Sequence, residues 1–147
     1  MKRIIIIVIA LIIVAGGFYA FNEYSRKNKG LDSVKAEVTT EASALISDFE
    51  NNIEAANSKY LGKIIAVTGA ITAIEAEPTS ATIVLGDDQS TASVRCSMDT
   101  TYNNVLSSLT IGQKVTVKGN CTGFNQDDLL GSDVILNRCV IQNGKNN

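Results

Sequence analysis

At 147 residues the chain has material for one domain of ordinary size, and not for two plus a membrane segment. It contains no His, which removes the commonest general base and the commonest metal ligand together. The 13 Lys+Arg and 15 Asp+Glu give a net charge of −2. Lys2 and Arg3 precede the apolar start, so the rest is more acidic still, the wrong balance for a protein that must neutralise phosphates.

Lys2 and Arg3 are followed by residues 4–21, an apolar run without a charge. A spanning helix needs about 20 apolar residues, with roughly 17 as the lower bound. A positive start and an apolar run also describe a secretory signal. Ala15 and Gly17 would sit at the −3 and −1 positions of a cleavage site, whereas cleavage after Ala20 would put Phe18 at −3. The run continues through Phe18, Tyr19 and Phe21, aromatics suited to a membrane interface, so an uncleaved anchor is favoured. No Cys lies near its end, and no lipobox is present. Lys2 and Arg3 argue for a cytoplasmic N-terminus, while Arg26, Lys27 and Lys29 flank the other end. The short N-terminal tail and the cysteine usage favour export. The expected address is the inner membrane, with the domain in the periplasm or outside the cell. If the segment is cleaved, the protein is secreted or periplasmic.

Residues 22–38 read as a polar linker. Residues 39–61 read as an amphipathic helix. Ala42, Leu45, Ile46, Phe49, Ile53, Ala56 and Tyr60 form one stripe at spacings of three and four. Thr39 or Thr40 is the expected N-cap, and Gly62 the expected stop. The stripe is expected to pack on the domain downstream of the helix.

From Gly62 the period changes to two. Residues 63–75 read as a long first strand with Ile65, Val67, Gly69 and Ile71 on one face. Ile74 falls out of that phase, as after a bulge, which Gly69 would permit. Residues 81–86 form a second strand with Ile83 and Leu85 inward. Residues 91–98 form a third with Ala92, Val94, Cys96 and Met98 inward. Residues 101–109 read as a short helix. Residues 114–121 form a fourth strand, residues 124–132 a polar loop, and residues 133–141 a last strand with Ile135, Cys139 and Ile141 together. The polar tail 143–147 is expected to be disordered. Three strands, a helix and two strands make an all-β domain with helices over residues 62–142. The expected fold is the five-stranded Greek-key OB-fold barrel.

The residues here resemble a family. Phe49, Asn57, Lys59-Tyr60, Gly62-Lys63, Val67-Thr68-Gly69 and Ile74 are similar to the opening of the bacterial tRNA_anti-like OB-fold proteins. Cys96, the run Leu109, Gly112, Val115, Val117, Gly119, Cys121, and then Leu136, Cys139 and Ile141 are similar to its remainder. The resemblance covers about residues 42–142. It implies an OB barrel preceded by a helix, on proteins commonly exported or membrane-attached. It implies no catalytic residue. Many members look like lipoproteins, from which this chain departs by lacking a lipobox.

Cys96, Cys121 and Cys139 all fall in the inward phase of their strands. They are either small buried hydrophobes or, in an oxidising space, one disulfide and a spare thiol. Pairing the last two strands as a hairpin places Cys121 opposite Cys139, the preferred bridge; Cys96–Cys139 is the alternative. OB-folds usually bind on their second and third strands and adjoining loops. That surface offers Ser93 and Arg95, with Phe124 and Asn125 from the loop and Lys118 from the neighbouring strand; Lys63 and Lys114 could join Lys118 in a basic patch. Only Phe124 is placed to stack a base. No catalytic constellation, metal motif or cofactor motif is present. The expected function is a membrane-tethered, extracytoplasmic, non-enzymatic binding module. Its partners would be the membrane through the N-terminal helix, and an envelope protein or small ligand on the barrel face. The alternative is a cytoplasm-facing module for single-stranded nucleic acid, against which charge and aromatic content argue.

Overall fold

The computed structural model describes residues 31–77, 80–87, 90–99, 106, 108–127 and 131–142. The expected anchor (4–21), most of the linker, most of the helix at 101–109 and the tail 143–147 lie outside the described residues. Among the described residues no helix is long and apolar enough to cross a membrane.

The elements run β1 (Val38–Glu41), α1 (Ala42–Asn51), α2 (Ile53–Tyr60), β2 (Ile64–Ala76), β3 (Ala81–Gly86), β4 (Ala92–Met98), β5 (Lys114–Asp127) and β6 (Gly131–Gln142). Neighbouring strands take the order β1-β2-β3-β4-β6-β5, and β2 also pairs with β5. The last pairing closes five strands, β2 to β6, into a barrel, with β1 added outside. All barrel pairs are antiparallel except β4 with β6, which is parallel. This is the OB arrangement the strand order predicts.

The interior obeys the alternation. Ile65, Val67, Ile71, Ile83, Leu85, Val94, Cys96, Val117, Cys121, Val134, Leu136 and Cys139 are all buried. Leu45, Phe49 and Tyr60 from the helices join the same core. The phase slip in β2 is present, and the register shift falls between Ile71 and Ala73. Gly69 therefore has a different task from the one its sequence position suggests. A Cβ there would sit 2.9 Å from the Ala42 Cβ and 3.2 Å from the Leu85 Cβ. Glycine at 69 lets the start of α1 lie directly on the barrel wall.

Four expectations are corrected. Residues 38–41 are a strand rather than linker or helix: β1 pairs in parallel with β2, with Val38 opposite Ile65. The threonines at 39 and 40 are thus in the strand, and Glu41 flanks the helix without a side-chain capping bond. Second, the helix is broken at Asn52. That residue is extended (φ −158°, ψ 97°), and its side chain accepts from the Ala55 N–H at 2.9 Å. Its own N–H donates to the Asp48 carbonyl at 3.1 Å. Asn52 thus ends one helix and caps the next, a position asparagine favours. The break turns Ile53 outward to 42% exposure, although it belongs to the apolar stripe. Third, β5 runs on to Asp127, so Phe124 and Asn125 lie in a strand and not in a loop. Fourth, β6 carries a bulge. Leu136 is opposite Cys121 and Val140 is opposite Lys118, so β6 has one residue more than β5 between those pairs. Val134 and Leu136 rather than Ile135 point inward before it, and Cys139 and Ile141 after it.

Candidate ligand-binding face

The outer face of β3, β4, β6 and β5 is ordered in rows by register. Gly86, Ser93, Asp133 and Asn125 form one row. Val84, Arg95, Ile135 and Gly123 form the next. Glu75, Thr82 and Ser97 form a third, reaching across β3 to the end of β2. The alternation that buries Val94 and Cys96 is what presents Ser93, Arg95 and Ser97 outward.

Polar contacts knit these rows together. The Ser93 hydroxyl donates to the Asp133 carboxylate, fastening β4 to β6. The Arg95 guanidinium donates to the Glu75 carboxylate at 2.6 Å, with side-chain exposures of 37% and 52%. Ser93, Arg95 and Asn125 therefore share one polar face, as the sequence suggests. Glu75 and Asp133 complete it and leave more negative than positive charge. Their roles depend on cross-strand register, which the sequence does not reveal.

The other two expected face residues are elsewhere. Phe124 is half-buried and packs against the core. Its ring stacks on Phe49 with centroids 5.1 Å apart and planes inclined by 15°, and Phe49 meets Tyr60 at 5.9 Å. It is part of the plug where the helices close the barrel. Lys118 is only 3% exposed. Its Nζ donates to the Val34 carbonyl at 2.7 Å, holding the segment before β1 against β5.

The expected basic patch dissolves in the same way. Lys63 Nζ donates to the carbonyls of Lys59 (2.6 Å) and Ser58 (3.1 Å), where α2 ends and a cation is favoured. Lys114 pairs with Glu41 at 3.2 Å. Lys59 pairs with Asp48 at 2.8 Å, and the Tyr60 hydroxyl donates to the same carboxylate oxygen at 2.6 Å. These bonds to Lys59 and Tyr60 hold the Asp48 carboxyl below its ordinary range. Burial, with the Asp48 bond second, pushes the Tyr60 phenol up.

The three cysteines are buried free thiols. The hairpin register expected to set Cys121 opposite Cys139 is corrected: β6 sets Leu136 opposite Cys121. Burial raises the Cys121 pKa. Cys139 is raised mainly by the Cys96 thiol, with burial second.

A concavity of about 530 Å³ lies beside β2, between the end of β1 and the end of β3. Ser43 and Ser47 of α1, Thr68 and Thr72 of β2, and Asp87 and Ser90 are among its walls. The sequence signals it only through Gly69.

The tRNA_anti-like family description matches residues 1–140. The chain belongs to the tRNA_anti-like family. The tRNA_anti-like barrel is similar to a crystal structure from Klebsiella pneumoniae subsp. pneumoniae MGH 78578, a lipoprotein to which nucleic-acid binding is provisionally ascribed. Identity is 19%, TM-score 0.53, covering 80% of this chain and 99% of that one. It is also similar to an aspartyl tRNA synthetase from Entamoeba histolytica, at 6% identity and TM-score 0.47, covering 79% of this chain and 23% of that one. The first likeness bears on fold alone. Among curated proteins, nothing matches the tRNA_anti-like chain.

Proposed function

We propose that this tRNA_anti-like protein is a membrane-tethered, extracytoplasmic binding module without catalytic activity. It presents the Ser93–Arg95–Asn125 face to an envelope protein or a small polar ligand. One observation carries the reading: most of the described cations, and the one aromatic expected to stack a base, are engaged within the fold. Lys59, Lys63, Arg95, Lys114 and Lys118 each hold an intramolecular partner. Phe124 lies against Phe49. A single-strand binder of this fold instead offers exposed aromatics and a positive groove. The face that remains has hydroxyls, an amide and one ion pair, chemistry suited to polar recognition.

The address rests on the charge-free run at residues 4–21 and on cysteine content. A reporter enzyme fused after Asn147, active only outside the cytoplasm, tests it. Activity from the fusion is expected. A silent fusion, with a cytoplasm-dependent reporter active at the same junction, would overturn the address.

The second reading, a module for single-stranded nucleic acid facing the cytoplasm, draws its support from the activity ascribed to the Klebsiella neighbour. It requires the opposite topology and salt-sensitive oligonucleotide binding.

A further inference from the structure

Three local features converge on the Cys139 thiol. The first is the bulge of β6. Between the pairs Cys96–Leu136 and Met98–Cys139, β6 spends one more residue than β4. Strict alternation from the buried Leu136 would turn residue 139 outward. The extra residue returns Cys139 to the interior, fully buried like Cys96. The second is the backbone of Arg138, which sits at φ 57°. It is the one non-glycine residue with positive φ among the described residues, a conformation that costs an L-residue energy and is kept where the surroundings impose it. The third is Gly119 on β5, level with the bulge. A Cβ there would lie 2.5 Å from the Cys139 Sγ, so glycine makes the room the sulfur occupies.

These devices turn Cys139 into the barrel on the strand next to that of Cys96: Cys139 is level with Met98, the next inward position along β4 from Cys96, and both thiols are buried. We propose that Cys96 and Cys139 are a disulfide-forming pair, and that Cys121 is the spare thiol. The raised Cys139 pKa, whose main cause is Cys96, agrees with two sulfurs facing each other. Cys121 is level with the same Leu136 from the other flank of β6, and burial rather than a neighbouring thiol raises its pKa.

The oxidant is a low-molecular-weight disulfide. One cysteine loses its proton, and its thiolate attacks a sulfur of that disulfide. A mixed disulfide forms and one small thiolate leaves. The second cysteine, also deprotonated, then attacks the protein sulfur of the mixed disulfide. The second small thiolate leaves and the intramolecular bond closes. Two protein thiols are oxidised, one small disulfide is reduced, and the released protons end on the two small thiols. Burial slows attack by either thiol in the folded state, so the bond forms during folding. The proposal does not depend on the cellular address, because the oxidant can be supplied in solution.

The test refolds the full chain, in detergent, from urea in a glutathione redox buffer. Alkylation, non-reducing digestion and mass spectrometry then read the products. The expected result is a Cys96–Cys139 cross-linked peptide, an alkylated Cys121, and a higher urea midpoint than for the reduced chain. The Cys121→Ser variant should give the same cross-link and no alkylated cysteine. Three alkylated cysteines after oxidative refolding would overturn the proposal, as would a bridge containing Cys121. Should refolding yields be low, the purified reduced chain equilibrated with oxidised glutathione in partly denaturing urea and digested in the same way decides between the same outcomes.

Discussion

The ring of Phe124 lies nearly flat on that of Phe49, 5.1 Å between centroids. This contact joins the far half of β5 to α1, so the helices and the barrel share one core. Phe124→Ala should lower stability by about 2 kcal/mol, less than the roughly 3–5 of a fully buried phenylalanine because the ring is half-buried. Urea unfolding measures it. An unchanged midpoint would mean the ring contributes as a surface group.

Gly69 marks the closest approach of α1 to the barrel. Gly69→Ala forces its new methyl against the Ala42 Cβ and the Leu85 Cβ. Overpacking of this kind costs about 1–3 kcal/mol. The double variant Gly69→Ala, Ala42→Gly removes the nearer clash and should recover part of the loss. Equal melting temperatures for the single and double variants would show that the strain lies elsewhere.

Asp48 ties α1 to α2 through Lys59 and Tyr60. Its pKa is lowered, with Lys59 the largest cause. A lowered acid stabilises the fold above the unfolded value of about 3.9, and that contribution is lost as pH falls through the folded value. The side chain is 41% exposed, so solvent screening holds the effect to below about 1 kcal/mol. Tyr60 works at the other end of the scale. Its raised pKa, caused first by burial, means stability falls as pH rises from about 10 towards the folded value. Asp48→Asn should flatten the acid limb of a stability–pH curve, and Tyr60→Phe the alkaline limb.

Lys118 fixes the segment ahead of β1 through the Val34 carbonyl. Downstream, the Glu37 N–H donates to the Ile64 carbonyl at 2.8 Å. Lys118→Ala should speed hydrogen exchange across residues 31–41 while leaving β3 and β4 protected. Lys118→Met keeps the aliphatic stem and should fall between the two. Unaltered exchange in Lys118→Ala would mean that β1 pairing alone holds the segment.

The barrel is legible in the sequence because its signals are local. Strict alternation in 91–98 and 114–121 gives the strands, and the change of period at Gly62 gives the junction. The features that escape need non-local information. Asn52 breaks the helix although its neighbours keep the stripe, because one residue closes two ends, its N–H on the Asp48 carbonyl and its side chain on the Ala55 N–H. The strand at Val38–Glu41 exists only because β2 offers it an edge. The β6 bulge sets Leu136 opposite Cys121 and turns Cys139 inward, and no sequence pattern around Arg138 announces it. For the face, Ser93 and Arg95 emerge from alternation alone. Phe124 and Lys118 do not, because a polar run conceals the length of β5, and because the segment that buries Lys118 reads as linker.

The central claim is that Lys59, Lys63, Arg95, Lys114 and Lys118, with Phe124, serve the fold, leaving a polar face that is not built for nucleic acid. Fluorescence anisotropy of a labelled single-stranded oligonucleotide, titrated with the full chain in detergent at low salt, tests it most directly. Even non-specific nucleic-acid binders reach dissociation constants of about 100 μM or tighter at physiological salt, and low salt tightens them further. The account predicts no saturable change up to about 100 μM protein. Saturable binding that weakens with salt and with Arg95→Ala would contradict it.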